Sequence, residues 1–154
     1  MSTTSNTSNI AKSDRDFTSV KTIAASPEQV LAALTTPEGV AGWWGTTSGS
    51  AGAVGDVLKV GFGTSRVITM DVASLEPGRI EWFVEQAPYT PEWDGTSILF
   101  ELAPAGEGTE LRFRHVGLTP QFECYDMCHA GWTHYLASLV AYVERGVGDP
   151  YRED

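Results

Sequence analysis

Two groups of residues in this sequence are of types that do chemistry near neutral pH. His115 follows Leu111 and Phe113 at a spacing of two, so in an extended strand its imidazole turns to the same face as those apolar side chains. Buried there, it needs a partner for its N–H. Beside a cavity it is able to orient a ligand or to act as acid and base, and the plainer alternative is a satisfied structural histidine. The second group is Cys124, Tyr125, Cys128 and His129. Cysteine and histidine this close invite zinc, but zinc takes three or four converging ligands. On one helix these side chains cannot converge without help from elsewhere, so no metal site and no cofactor is expected. A Cys–His nucleophile needs hydrogen-bond reach and a lowered thiol pKa, and small buried cysteines are the commoner outcome. Four apart on a helix, the two thiols share a face while the backbone resists a disulfide. Both are expected reduced, as in a cytoplasmic compartment.

Large rings are the other conspicuous resource: Trp43, Trp44, Trp82, Trp93 and Trp132, with Tyr89 and Tyr125. Core packing accounts for part of them. The rest suit the walls and mouth of a ligand pocket, which is mostly apolar with a few placed polar groups. The segment Glu85 to Asp94, EQAPYTPEWD, reads either as a lid or as a stiff surface loop, and its Glu92 and Asp94 either as acids or as solvated charges.

The element that must hold the second group is the stretch Pro120 to Gly146, which reads as one helix of about 38 Å at 1.5 Å per residue. Helical phase gathers Cys124, Tyr125, Cys128, Trp132, Tyr135, Leu136, Leu139, Val140, Tyr142 and Val143 on one side, and places Thr133, His134, Ser138 and Glu144 on the other. So broad an apolar face hides only against a sheet. Five strands with period-two alternation supply one. Their apolar sets are Leu58, Val60 and Phe62; Ile68, Met70 and Val72; Ile80, Trp82 and Val84; Thr96, Ile98, Phe100 and Leu102; and Leu111, Phe113 and His115. Short turns such as Glu76-Pro77-Gly78 make the sheet antiparallel. Before it lie a short strand from Phe17 to Ala24 and two helix starts, Ser26-Pro27-Glu28-Gln29 and Thr36-Pro37-Glu38, each with a cap and a proline at the first helical position. Gly45 to Gly55 is rich in Gly, Ser, Ala and Thr and reads as a mobile loop, and it lacks the Gly-Lys-Ser/Thr of a phosphate loop.

With 154 residues the chain makes one domain. Residues 1–14, Ser/Thr/Asn-rich, are expected to be a disordered tail, 15–150 the domain and 151–154 a C-terminal tail. The formal charge of −10 repels phosphates, so no nucleic-acid partner is expected. No apolar run is long enough for membrane insertion, and the first residues lack the apolar core of a secretory signal.

Ala25-Ser26-Pro27-Glu28-Gln29-Val30, Leu34 to Glu38 leading to Trp43-Trp44, Glu92-Trp93-Asp94-Gly95-Thr96, Gly108 to Phe113, and Gly131-Trp132 with Tyr135-Leu136 span nearly the whole chain beyond the tail. In these phrases the sequence resembles the START-like (SRPBCC) superfamily, in the branch of AHSA1-like proteins similar to the C-terminal domain of the activator of Hsp90 ATPase. The resemblance implies an α+β helix-grip fold, a curved antiparallel sheet wrapped around a long C-terminal helix. It also implies a central cavity in which superfamily members bind lipids, hormones or polyketides, and a minority catalyse cyclisation or dehydration.

Strand parity and helix phase then name the lining: Trp44, Phe62, Met70, Trp82, Phe113, His115, Tyr125, Cys128 and Trp132. The function expected first is binding of a small apolar or amphipathic molecule, with His115, Tyr125 and Cys128 orienting it, because no paired carboxylates, metal set or nucleophile motif is present. A cyclase or dehydratase using His115 and Tyr125 for proton transfer is the alternative, and a chaperone-cofactor-like interaction protein the third. A homodimer through exposed aromatics is a further expectation.

Overall fold

The computed structural model describes residues 17–62, 66–88, 93–118 and 125–151. The expected N-terminal tail, 1–14, lies outside them. Strand β1 (Phe17–Ile23) leads into helix α1 (Pro27–Thr35) and helix α2 (Pro37–Trp43). Both helices start where the sequence places caps. Ser26 Oγ accepts from the Gln29 amide at 3.2 Å while Gln29 Oε1 accepts from the Ser26 amide at 2.9 Å, a complete capping box. Thr36 Oγ1 accepts from the Gly39 amide at 3.0 Å. The two helices are locked by the Trp43 indole, whose N–H donates to the Ala33 carbonyl at 3.0 Å.

Next come β2 (Thr46–Gly49), β3 (Val57–Gly61), β4 (Val67–Glu76), β5 (Arg79–Gln86), β6 (Ser97–Ala105) and β7 (Gly108–Val116). They form one antiparallel sheet in the order β1-β7-β6-β5-β4-β3-β2. Strand β2 corrects the expectation of a mobile loop between Gly45 and Gly55. Its Thr-Thr-Ser-Gly side chains mostly face solvent, so no hydrophobic alternation announces it. Backbone pairing from Thr46↔Gly61 to Gly49↔Leu58 holds it. Beyond it, Asp56 Oδ2 accepts from the amides of Gly52 and Ala53, both at 3.0 Å, and so braces the turn.

In the five strands of the meander, the side chains with the expected parity are buried, from Leu58 to His115. The β4–β5 pairing shifts register between Thr69 and Met70 and again between Val72 and Ser74. Such bulges bend a strand pair and strengthen its twist, which helps the sheet curve over the helix. Helix α3 (Tyr125–Arg145) spans 21 residues, about 31 Å. It buries Trp132, Leu136 and Leu139 against the interior, with Tyr135, Val140, Tyr142 and Val143 partly covered. Glu144 Oε2 accepts from the Ala24 amide at 2.7 Å and ties the end of α3 to the end of β1. The architecture is the helix-grip arrangement expected.

Ser138 is a second correction. Helical phase places it on the polar side, yet it is buried. The chain after α3 turns back, and the Asp149 amide donates to Ser138 Oγ at 2.6 Å. Tyr151, expected to open a C-terminal tail, donates its amide to the Trp44 carbonyl at 2.8 Å and sets its ring 5.7 Å from Phe62. A contact between segments so distant in sequence leaves no trace in local periodicity.

Candidate functional site

The inner face of the sheet and the N-terminal half of α3 converge on a cluster of rings. The end of α2 delivers Trp43 and Trp44, β5 delivers Trp82, β7 delivers Phe113 and His115, and α3 delivers Trp132. Trp43 lies parallel to Trp44 with centroids 5.5 Å apart, and Trp44 lies parallel to Trp82 at 6.0 Å, which makes a stack of three indoles. Trp132 meets Trp44 at 5.0 Å and Phe113 at 4.5 Å, and Phe62 meets Trp44 edge-on at 5.9 Å. Of the residues expected to line a cavity, Trp44, Phe62, Trp82, Phe113, His115 and Trp132 therefore stand together. Met70 is buried on the same side of the sheet. Cys128 is half-buried and accepts from the Trp93 indole N–H at 3.3 Å. The side chain of Tyr125, and Cys124 entirely, lie outside the described residues, as do Tyr89 and Glu92.

His115 is fully buried, and both of its ring nitrogens are engaged. Trp132 donates its indole N–H to Nδ1 at 3.0 Å. An indole nitrogen only donates, so Nδ1 carries the lone pair and Nε2 the proton. Nε2 lies 2.9 Å from Thr96 Oγ1, to which it donates, and that hydroxyl donates in turn to the Trp93 carbonyl at 2.6 Å. Burial pushes the imidazole pKa down to about 3, so the ring is neutral across the physiological range. Edge-on contact with Trp93 at 4.4 Å completes its enclosure.

Trp93 and Thr96 are site residues that the expected lining leaves out. Thr96 carries a signal in the sequence, since it shares parity with Ile98 and Phe100 and is the polar member of that inward-facing set. Trp93 counts among the rings suited to a pocket, but it sits outside any periodic segment, so nothing in the sequence gives its direction. Its ring is parallel to Trp132 at 5.9 Å. Asp94, read either as an acid or as a solvated charge, accepts from the Ala87 amide at 2.7 Å. His129 is exposed and meets Phe17 edge-on at 5.0 Å. Among the described residues no group of three His, Cys, Asp or Glu side chains is placed to hold a metal ion.

Helix α3 makes its main close backbone approaches to β1, α1 and α2. It reaches the central strands through long side chains, Trp132 above all. The polar side chains buried among the described residues are Thr96, Thr109, His115 and Ser138, none of which carries a charge at neutral pH. A surface hollow of about 350 Å³ lies elsewhere, between α1, α2 and the end of α3, beside Ala32, Gly39 and Tyr142.

A seven-stranded curved sheet closed around one long helix, with a ring-lined interior, defines a helix-grip protein of the START-like superfamily, a fold that supports ligand binding in general. Within it the chain belongs to the family described as activator of Hsp90 ATPase homolog 1-like protein, whose family model matches residues 24–144. Among solved structures, the chain is similar to the Aha1 dimer from Colwellia psychrerythraea, with 31% identity, 86% of this chain and 98% of that one covered, and a TM-score of 0.76. It is also similar to protein MLL2253 from Mesorhizobium loti, with 25% identity over 85% of this chain and 98% of that one, TM-score 0.75. DynU16, a protein of the dynemicin biosynthetic locus, shares the fold at 23% identity and TM-score 0.69, with 88% of this chain and 49% of that one covered. Comparison with curated protein sequences finds no match. Among the described residues no helix is long and apolar enough to cross a membrane.

Proposed function

We propose that the domain binds a small apolar or amphipathic molecule between the sheet and the aromatic half of α3. The observation that carries this reading is how α3 is held. Close backbone packing fixes it at β1 and the short helices. Over the central strands the intervening layer is Trp44, Trp82, Phe113 and Trp132, in contact ring to ring. With Trp132 pinned to His115, turns of Trp44, Trp82 and Phe113 about χ1 and χ2 are what would make room without moving the backbone, and a desolvated aromatic wall suits an apolar guest. The cyclase or dehydratase alternative draws no support from His115, whose lone pair is occupied by Trp132.

Native mass spectrometry of the protein purified from its own host tests the reading. A stoichiometric small molecule released on denaturation supports it. Recovery of bare protein, together with failure to bind apolar probes in calorimetry, sinks it.

We also propose a homodimer, by similarity to the Colwellia psychrerythraea protein, which is described as a dimer. Light scattering coupled to size exclusion decides this: a mass near that of one chain at tens of micromolar concentration ends the proposal.

A further inference from the structure

The interior satisfies its indole N–H groups with some care. Trp43 donates to the Ala33 carbonyl, Trp132 to His115 Nδ1, and Trp93 even to the weak acceptor Cys128 Sγ. Trp82 differs from these three. It is fully buried, and its Nε1 has no hydrogen-bond partner among the described residues. A buried donor left without an acceptor loses its hydration and regains nothing. Trp44 covers one face of this ring as a parallel stack, and Phe100 meets it at 5.0 Å. What Trp82 has left to offer a guest is the in-plane N–H.

The surroundings restrict the guest's charge. Among the described residues every buried polar side chain is uncharged at neutral pH, and no Lys or Arg is buried. A carboxylate or phosphate entering here would shed its water with no cation to meet it, which is far costlier than burying a neutral carbonyl. His115 offers neither a lone pair nor a proton to it, since Trp132 and Thr96 occupy both nitrogens.

We propose that the guest of this interior is an uncharged molecule presenting an acceptor oxygen, of the ketone, ester or ether class, to Nε1 of Trp82. This rests on the binding reading above and narrows it, setting fatty acids and phosphorylated lipids aside. Three probes of nearly equal shape test it by calorimetry on the whole chain: 2-acetylnaphthalene, 2-ethylnaphthalene and 2-naphthoate. The ketone binds about tenfold tighter than the hydrocarbon, the size of effect one neutral hydrogen bond gives, and the carboxylate binds weakest. Trp82→Phe, which keeps an aromatic ring and deletes the donor, removes the difference between ketone and hydrocarbon.

Indole proton–nitrogen spectra of the unsubstituted protein read the same donor where that variant fails to fold. An indole proton upfield of the hydrogen-bonded set moves downfield with the ketone but not with the hydrocarbon. Equal affinities for ketone and hydrocarbon, as when a trapped water meets Nε1, overturn the inference while leaving binding intact. Tightest binding of the naphthoate overturns the charge argument. Failure of all three probes, with no molecule co-purified from the host, removes the binding reading and this inference with it.

Discussion

Trp132 on α3 donates its indole N–H to Nδ1 of His115 on β7 at 3.0 Å, and that one bond sets the tautomer of a fully buried imidazole. It forces the remaining proton onto Nε2, where Thr96 Oγ1 receives it. The helix, strand β7 and, through Thr96 and the Trp93 carbonyl, the segment just before β6 are joined by this chain of bonds. A network satisfied at every member is cooperative, and one with a member removed leaves buried groups stranded.

His115→Leu therefore leaves the Trp132 N–H without its acceptor and takes from Thr96 its donor. Unfolding by urea should show a loss of about 2–4 kcal/mol, from one or two stranded polar groups at about 1–3 kcal/mol each. A loss under about 0.5 kcal/mol would mean that the network does not hold α3 to the sheet.

The same ring makes stability depend on pH. Its folded pKa is lowered to about 3 by burial, against about 6.5 in the unfolded chain. Between these values the unfolded state binds a proton that the native state does not, so stability rises with pH in that window. It is complete above about pH 6.5 and declines as pH falls toward 3, by up to about 1.4 kcal/mol per unit. Urea midpoints measured from pH 4 to 8 on the wild type and on His115→Gln should converge at low pH. Parallel curves would show that His115 does not titrate as described.

Thr96 itself packs closely against a glycine. Gly117 has φ +99°, and a Cβ built there lies 2.8 Å from Thr96 Cγ2. Gly117→Ala thus combines a left-handed backbone with a push on the side chain facing His115. A cost of about 1–3 kcal/mol is expected. The Trp132 indole proton, read by NMR, should shift as its acceptor moves. A stable variant with unshifted indoles would contradict the geometry.

How much of this is legible in the sequence depends on the range of the contacts involved. Strand parity puts Met70, Trp82, Phe113 and His115 on the inner face because alternation is a property of each strand alone. Ser26 and Thr36 announce α1 and α2 because a cap acts within four residues. Strand β2 escapes such a reading because its four residues bury little and owe their shape to β3. Ser138 escapes it because its neighbour, Asp149, reaches it only after the chain reverses. That His115 meets Trp132, or that Trp82 meets no acceptor among the described residues, depends on how the helix docks, which no window of sequence contains.

The segment after α3 gives the last test. Tyr151 is bonded through its amide to the Trp44 carbonyl, and its ring lies against Phe62, which itself packs on Trp44. Tyr151 therefore braces the indole stack, although the sequence reading makes it the first residue of a C-terminal tail. Ending the chain after Gly148 removes that brace together with the Asp149 amide that satisfies Ser138. A buried hydroxyl short of a partner and a Phe62 ring stripped of its Tyr151 neighbour should together cost about 2–3 kcal/mol. Tryptophan emission should move to longer wavelength as Trp44 gains water. If the shortened chain unfolds at the same urea concentration with the same emission maximum, the segment is dispensable and the stack is held by the sheet and α3 alone.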